Sequence, residues 1–134
     1  MDKKVVEVEF EVIIENLTQA TEPGASQPFS PPIFVVHKAG LRLYKIRHLA
    51  SDELMQIAED AVNGPMIQFL NQSTKVFDIV EGSEVIFPQT STVFTIKAKH
   101  RYNKLSMVSM LVNTNDAFTG VSGVRLPYRG KRVY

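Results

Sequence analysis

The sequence contains no cysteine, which excludes a disulfide framework, a thiolate metal site and a cysteine nucleophile together. Long apolar runs are also missing, since nothing approaches the about 18 consecutive residues of a membrane-spanning helix. There is no Gly-x-Ser-x-Gly elbow and no glycine-rich phosphate loop, and no two histidines stand at His-x-x-x-His spacing. The usual signatures of acyl transfer, nucleotide binding and a zinc centre are therefore absent, and the reading is of a protein that is not an enzyme. The opening residues, Met1 to Val6, run straight into alternating Val and Glu and lack the apolar core of a signal peptide.

What the sequence does contain fits one domain over residues 1–134. A chain of that length buries roughly two thirds of its unfolded surface, enough for a single core. Its 44% hydrophobic and 22% charged residues are ordinary for a globular protein. The clearest local pattern is at the start, where Val6, Val8, Phe10, Val12 and Ile14 alternate with Glu7, Glu9, Glu11 and, beyond Ile13, Glu15. A period of two predicts a strand with one buried and one wet face, and the glutamates guard it against pairing with another molecule.

From Thr18 to Pro32 the chain is rich in Thr, Gly, Ser, Gln and Pro, and Pro31-Pro32 force extended backbone before the short apolar run Ile33–Val36. A long ordered loop feeding a buried strand is expected there. Ser51 followed by Asp52 and Glu53 is a helix start, and Leu54, Ile57, Ala58 and Ala61 then form an apolar stripe at helical spacing. Gly64 is expected to stop that helix and Pro65 to open a second one. Further strands are expected over Val76–Val80, Val85–Phe87, Val93–Ala98, Leu105–Val112 and Gly120–Leu126, separated by Gly, Asn and Asp turns. Many short strands without alternating helices indicate a mostly β protein, a single antiparallel β-sandwich with one or two short helical insertions.

Charge is unevenly spread. Residues 1–30 carry six acids against two lysines, whereas residues 91–134 carry eight bases against Asp116 alone. Opposite charges facing across a sheet account for this. A basic patch made for an anionic partner is the other reading.

Short segments spread through the chain resemble the spondin domain, the adhesion module of spondin-type extracellular matrix proteins and their small bacterial relatives. They are Glu15-Asn16-Leu17-Thr18, Gln27-Pro28-Phe29-Ser30-Pro31-Pro32, His37, Ala50-Ser51, Ala58-Glu59-Asp60, Leu105 to Val112, and Asn115-Asp116-Ala117-Phe118-Thr119-Gly120-Val121. The resemblance implies a C2-like sandwich and a non-catalytic binding module that is secreted, periplasmic or on the cell surface, with a cell-surface or matrix protein or a glycan as partner. It also implies Ca²⁺, which needs six to eight oxygen ligands gathered from several loops. Asp116 matches a family aspartate and is the first candidate ligand, with Glu59 and Asp60 as further carboxylates. Where animal members place a second aspartate, this chain has Ser122, and Ala117 stands where they have Trp. Glu59 and Asp60 read equally as a solvated helix end, and Asp116 as an Asx turn.

His37, Phe118, Arg125, Tyr128 and Lys131 are the candidate ligand-binding residues. His37 also reads as a packing residue, since it follows a buried strand. The alternative function is attachment of an anionic polymer or lipid, including lipopolysaccharide, to a basic C-terminal surface that contains Arg125, Arg129, Lys131 and Arg132. Nucleic acid is disfavoured by the acidic first strand and the net charge of +1. Arg132-Val133-Tyr134 looks like the start of a strand, so the chain is expected to be shortened relative to the bacterial family pattern, with an open sheet edge that permits self-association.

Overall fold

The structure is a computed structural model, which describes residues 7–19 and 26–127. Among the described residues six strands, β1 (Val8–Glu15), β2 (Ile33–His37), β3 (Val76–Glu81), β4 (Ser91–Ala98), β5 (Lys104–Met110) and β6 (Phe118–Arg125), form two antiparallel sheets. Strands β1 and β4 make one, and the other has the order β3-β2-β5-β6. Two helices, α1 (Asp52–Asp60) and α2 (Gly64–Asn71), lie between β2 and β3 in the chain. The architecture is the expected β-sandwich with short helices.

The unbroken run Ile33-Phe34-Val35-Val36 is apolar on both sides because β2 has a hydrophobic layer on each face. Phe34 and Val36 face the two-stranded sheet, where Phe34 meets Phe94 with ring centroids 4.6 Å apart and Phe10, Val12 and Ile14 pack nearby. Ile33 and Val35 face the helices and join Leu54, Ile57, Met66 and Leu70. The alternation of β1 is thus spent on one layer, with its glutamates exposed. Glu9 lies opposite Lys97, whereas Glu11 and Glu15 lie opposite Thr95 and Ser91, so charge pairing across that sheet is confined to one position. On the other side of β4, the Lys97 N–H donates to the Asp78 carboxylate at 2.9 Å and ties the first sheet to β3.

The described part of the proline-rich loop is held by backbone bridges of Phe29 to Ile86 and Leu111 and by side chains. The Asn16 amide, fully buried, donates to the carbonyls of Gln27 and Ile86 at 2.8 and 3.0 Å. Asn113 donates to the Ser26 carbonyl at 2.8 Å, and the Ser30 hydroxyl accepts the Met110 N–H at 2.8 Å. Several of the segments that carry the resemblance are therefore the pins that fix this loop across one end of the sandwich.

Two local expectations differ from the structure. Val85–Phe87 is no strand; Ile86 alone bridges Phe29, and Pro88 then removes the next backbone donor. The first helix ends at Ala61, which adopts the left-handed conformation (φ 57°) and donates to the Ile57 carbonyl at 2.9 Å. Gly64 is the first residue of α2 instead of the stop. The Ser51 cap is as expected, its hydroxyl accepting the Leu54 N–H at 3.2 Å. The strand expected from Arg132 onward lies outside the described residues.

Candidate functional site

Between β2 and α1 the chain crosses the helix-bearing end of the sandwich through residues 38–51. Leu43, 5% exposed, anchors this connection in the core between the sheet and the helices. Tyr44 beside it meets the ring of Phe118 edge-on, with centroids 5.2 Å apart. Burial raises the Tyr44 phenol above its ordinary pKa and keeps it a neutral hydroxyl. The residues around these two anchors point outward. Arg42 and all of Lys45 to Ser51 are exposed, Ile46 at 83% and Leu49 at 100%.

The connection, the helices and the start of β6 enclose an open groove of about 440 Å³. Its wall is largely apolar, made by Leu43, Tyr44, Leu49, Met66, Phe69 and Phe118, and Phe69 is half exposed. Arg42, Lys45 and His48 also line it, with Glu53 as the one acid among the described residues. Such an open apolar groove with a few charged groups at its margin offers a partner apolar contact rather than an enclosed cavity.

The residues singled out in the sequence fall in several places. Phe118 is part of the groove. Asp116 is exposed in the turn between β5 and β6, and that turn is closed by Thr114, whose hydroxyl donates to the Leu111 carbonyl at 2.7 Å and accepts the Ala117 N–H at 3.1 Å. The turn's hydrogen bonds thus belong to Thr114 and not to an Asx turn at Asp116. Ser122 lies four residues into β6. At about 3.3 Å per residue that places it roughly 13 Å beyond Phe118, whereas ligands of one calcium ion sit within about 5 Å of each other. Ser122 is therefore no co-ligand of Asp116. Glu59 and Asp60 are exposed at the end of α1, and no three His, Asp or Glu side chains come together among the described residues. Asp116 is the carboxylate that the turn offers, and any further oxygens there would come from Asn115, Thr114 and the backbone.

His37 is 1% exposed, inside the fold. Its Nδ1 lies 2.8 Å from the Lys38 carbonyl, which can only accept, so Nδ1 carries the proton. Nε2 then accepts from the Ser106 hydroxyl at 2.8 Å, and Ser106 Oγ accepts the Gly123 N–H at 2.9 Å. Burial, with a smaller contribution from the Lys104 charge, holds His37 below the ordinary histidine pKa, while the Lys38 carbonyl opposes the shift. A Ser–His contact of this length has the geometry of a nucleophile and its base, but Ser106 is fully buried and no substrate reaches it. Both ring nitrogens of His37 are engaged within the chain, so it faces no external ligand.

Arg125 is exposed at the end of β6 opposite Lys104. Tyr128 and Lys131 lie outside the described residues, as do Arg129 and Arg132. Tyr102 packs against Phe77 with centroids 5.7 Å apart, and the Lys99 ammonium lies 5.1 Å from its ring, so this tyrosine is used within the fold. The groove residues Arg42, Tyr44, Lys45, Ile46, Leu49 and Phe69 were not singled out in the sequence. A usable signal was present, because the segment Leu41 to Ala50 mixes apolar and basic residues and no acid occurs between Glu22 and Asp52.

Compared with known protein families, residues 8–132 match the Spondin_N family. No curated protein matches the chain at a significant level.

Proposed function

The chain belongs to the spondin N-terminal domain family, and from that premise we propose that it is a non-catalytic binding and adhesion module that works outside the cell. The observation that carries this reading is the open apolar groove of about 440 Å³ beside Phe118, framed by the two helices, the connection before them and the start of β6. The sealed Ser106–His37 contact supports a role without catalysis. The ligand is a cell-surface or matrix component that takes apolar contact in the groove and tolerates the basic margin of Arg42 and Lys45.

The test is retention of the purified chain on cell or matrix surfaces, with Phe69→Asp as the altered form. Phe69 is half exposed and lies in the last turn of α2, so the substitution changes the groove at some cost in stability, and retention is compared at a temperature where melts show both forms folded. Retention is expected to fall at least about tenfold, which is a loss of about 1.4 kcal/mol. Retention equal to that of the unaltered chain would overturn the reading. Calcium enters the proposal through Asp116 alone. Retention that is lost in EDTA, restored by millimolar calcium and absent in Asp116→Ala supports a calcium-dependent module, whereas equal retention in all three removes calcium from it.

A further inference from the structure

The connection from β2 to α1 places two bare aliphatic side chains in a basic segment. Ile46 and Leu49 protrude at 83% and 100% exposure, although isolated side chains of this kind gain nothing from water. Beside them in the chain stand Arg42, Lys45 and Arg47, all exposed. No Asp or Glu occurs in the connection before Asp52, and Glu53 is the acid that borders the groove. Arg47 adopts a left-handed backbone conformation (φ 66°), which bends the chain between the two protruding residues. Leu43 and the Tyr44–Phe118 contact hold the near end of this bend to the body, and the Ser51 cap and buried Leu54 of α1 hold the far end, so the projection is built into the fold.

A folded protein partner would need a matched pocket for each protruding side chain. A bilayer needs none, because its interfacial region accepts apolar side chains anywhere in its plane while anionic headgroups meet the surrounding cations. Resting on the reading of this groove as the binding face, we infer that the connection is an anchor for an anionic phospholipid bilayer. In this arrangement Ile46 and Leu49 enter the acyl boundary, Arg42, Lys45 and Arg47 meet phosphates, and the groove lined by Leu43, Met66 and Phe69 faces the membrane. The anchor lies on the bilayer and does not span it. It is separate from the basic C-terminal residues that the sequence alone brought forward.

The experiment is co-sedimentation of the full chain with phosphatidylcholine vesicles and with mixed phosphatidylcholine and phosphatidylglycerol vesicles. Binding is expected to the anionic vesicles only, weakening as salt rises from about 0.1 M to about 0.5 M. The double change Ile46→Ser and Leu49→Ser is expected to lower the partition coefficient at least about tenfold without moving the melting temperature, since both side chains are exposed. The double change Arg42→Glu and Lys45→Glu is expected to abolish the preference for anionic lipid. No sedimentation with anionic vesicles overturns the inference, and so does sedimentation that both double variants retain in full. Failure here is distinct from failure of the binding module itself. A chain that ignores vesicles yet loses retention on cell or matrix surfaces through Phe69→Asp keeps its groove as a site for another ligand.

Discussion

His37 shows how one side chain can be structural while carrying the signature of a functional one. Its neutral form is set by two partners of fixed sense, the Lys38 carbonyl that accepts and the Ser106 hydroxyl that donates. Because burial depresses its pKa, the unfolded chain takes up a proton before the folded one does as the pH falls. The contribution of neutral His37 is fully present above the unfolded value of about 6.5 and is lost as the pH falls from there through the lower folded value. Thermal melts at about pH 7.5 and about pH 5.5 should show the unaltered chain losing stability, and His37→Asn, which melts lower at both, losing measurably less between them. Equal slopes for the two forms would remove His37 as the source. Its burial was legible from its place after Ile33–Val36, but Ser106 was not, because the partner lies 69 positions away and no local pattern announces it.

The first helix is the element in which sequence and structure agree at one end and part at the other. Ser51 was readable as the cap because its effect is local: a hydroxyl, a free N–H and two acids in the first turn. The far end was not, because Gly64 drew the expected stop while Ala61 takes the left-handed position that glycine usually fills. The Val62 N–H reaching back to the Gln56 carbonyl at 3.1 Å completes the same cap. An L-residue in that conformation costs about 1–2 kcal/mol, and glycine returns about 0.5–1 kcal/mol of this as lost chain freedom. Ala61→Gly is therefore expected to stabilise the protein by about 0.5–1 kcal/mol, read as a rise of roughly 2–4 °C in melting temperature. A fall would show that the Ala61 methyl group contributes packing that outweighs the strain. The same limit explains the other elements. The period of β1 and the double burial of β2 are visible in their own residues, whereas Val85–Phe87 has strand-forming residues and only Phe29 to pair with. The connection between β2 and α1 has no period at all. Its groove arises from the approach of Phe69 and Phe118, which are distant in the chain.

At the scale of the whole molecule the two sheets are unequal. A pair of strands is marginal by itself, and β1 with β4 offers a single apolar face, leaving Ile13 and Val93 opposite each other on the outer side at 60% and 56% exposure. Strand β2, by contrast, is at most 1% exposed along its whole length and has a hydrogen-bonded neighbour on each side. The smaller sheet is held to the larger chiefly by the layer around Phe34, Val36, Ile96 and Phe94. The helices are held to the opposite face by a different set of side chains, around Ile57 and Leu70. The two layers can therefore loosen separately, and native-state hydrogen exchange is the measurement that separates them. Amides of β2 and β5 are expected to exchange slowest, and those of β1 and β4 at a lower opening free energy. Phe34→Ala should cost about 3–5 kcal/mol and speed exchange in β1 and β4 more than in α1. Uniform protection across both sheets, or equal acceleration in α1, would mean that the layers open as one unit. The inequality also bears on function. The groove and its basic connection are built on the helix side, the side that Phe34 does not support, so Phe34→Ala should retain vesicle binding at temperatures where the folded form still dominates.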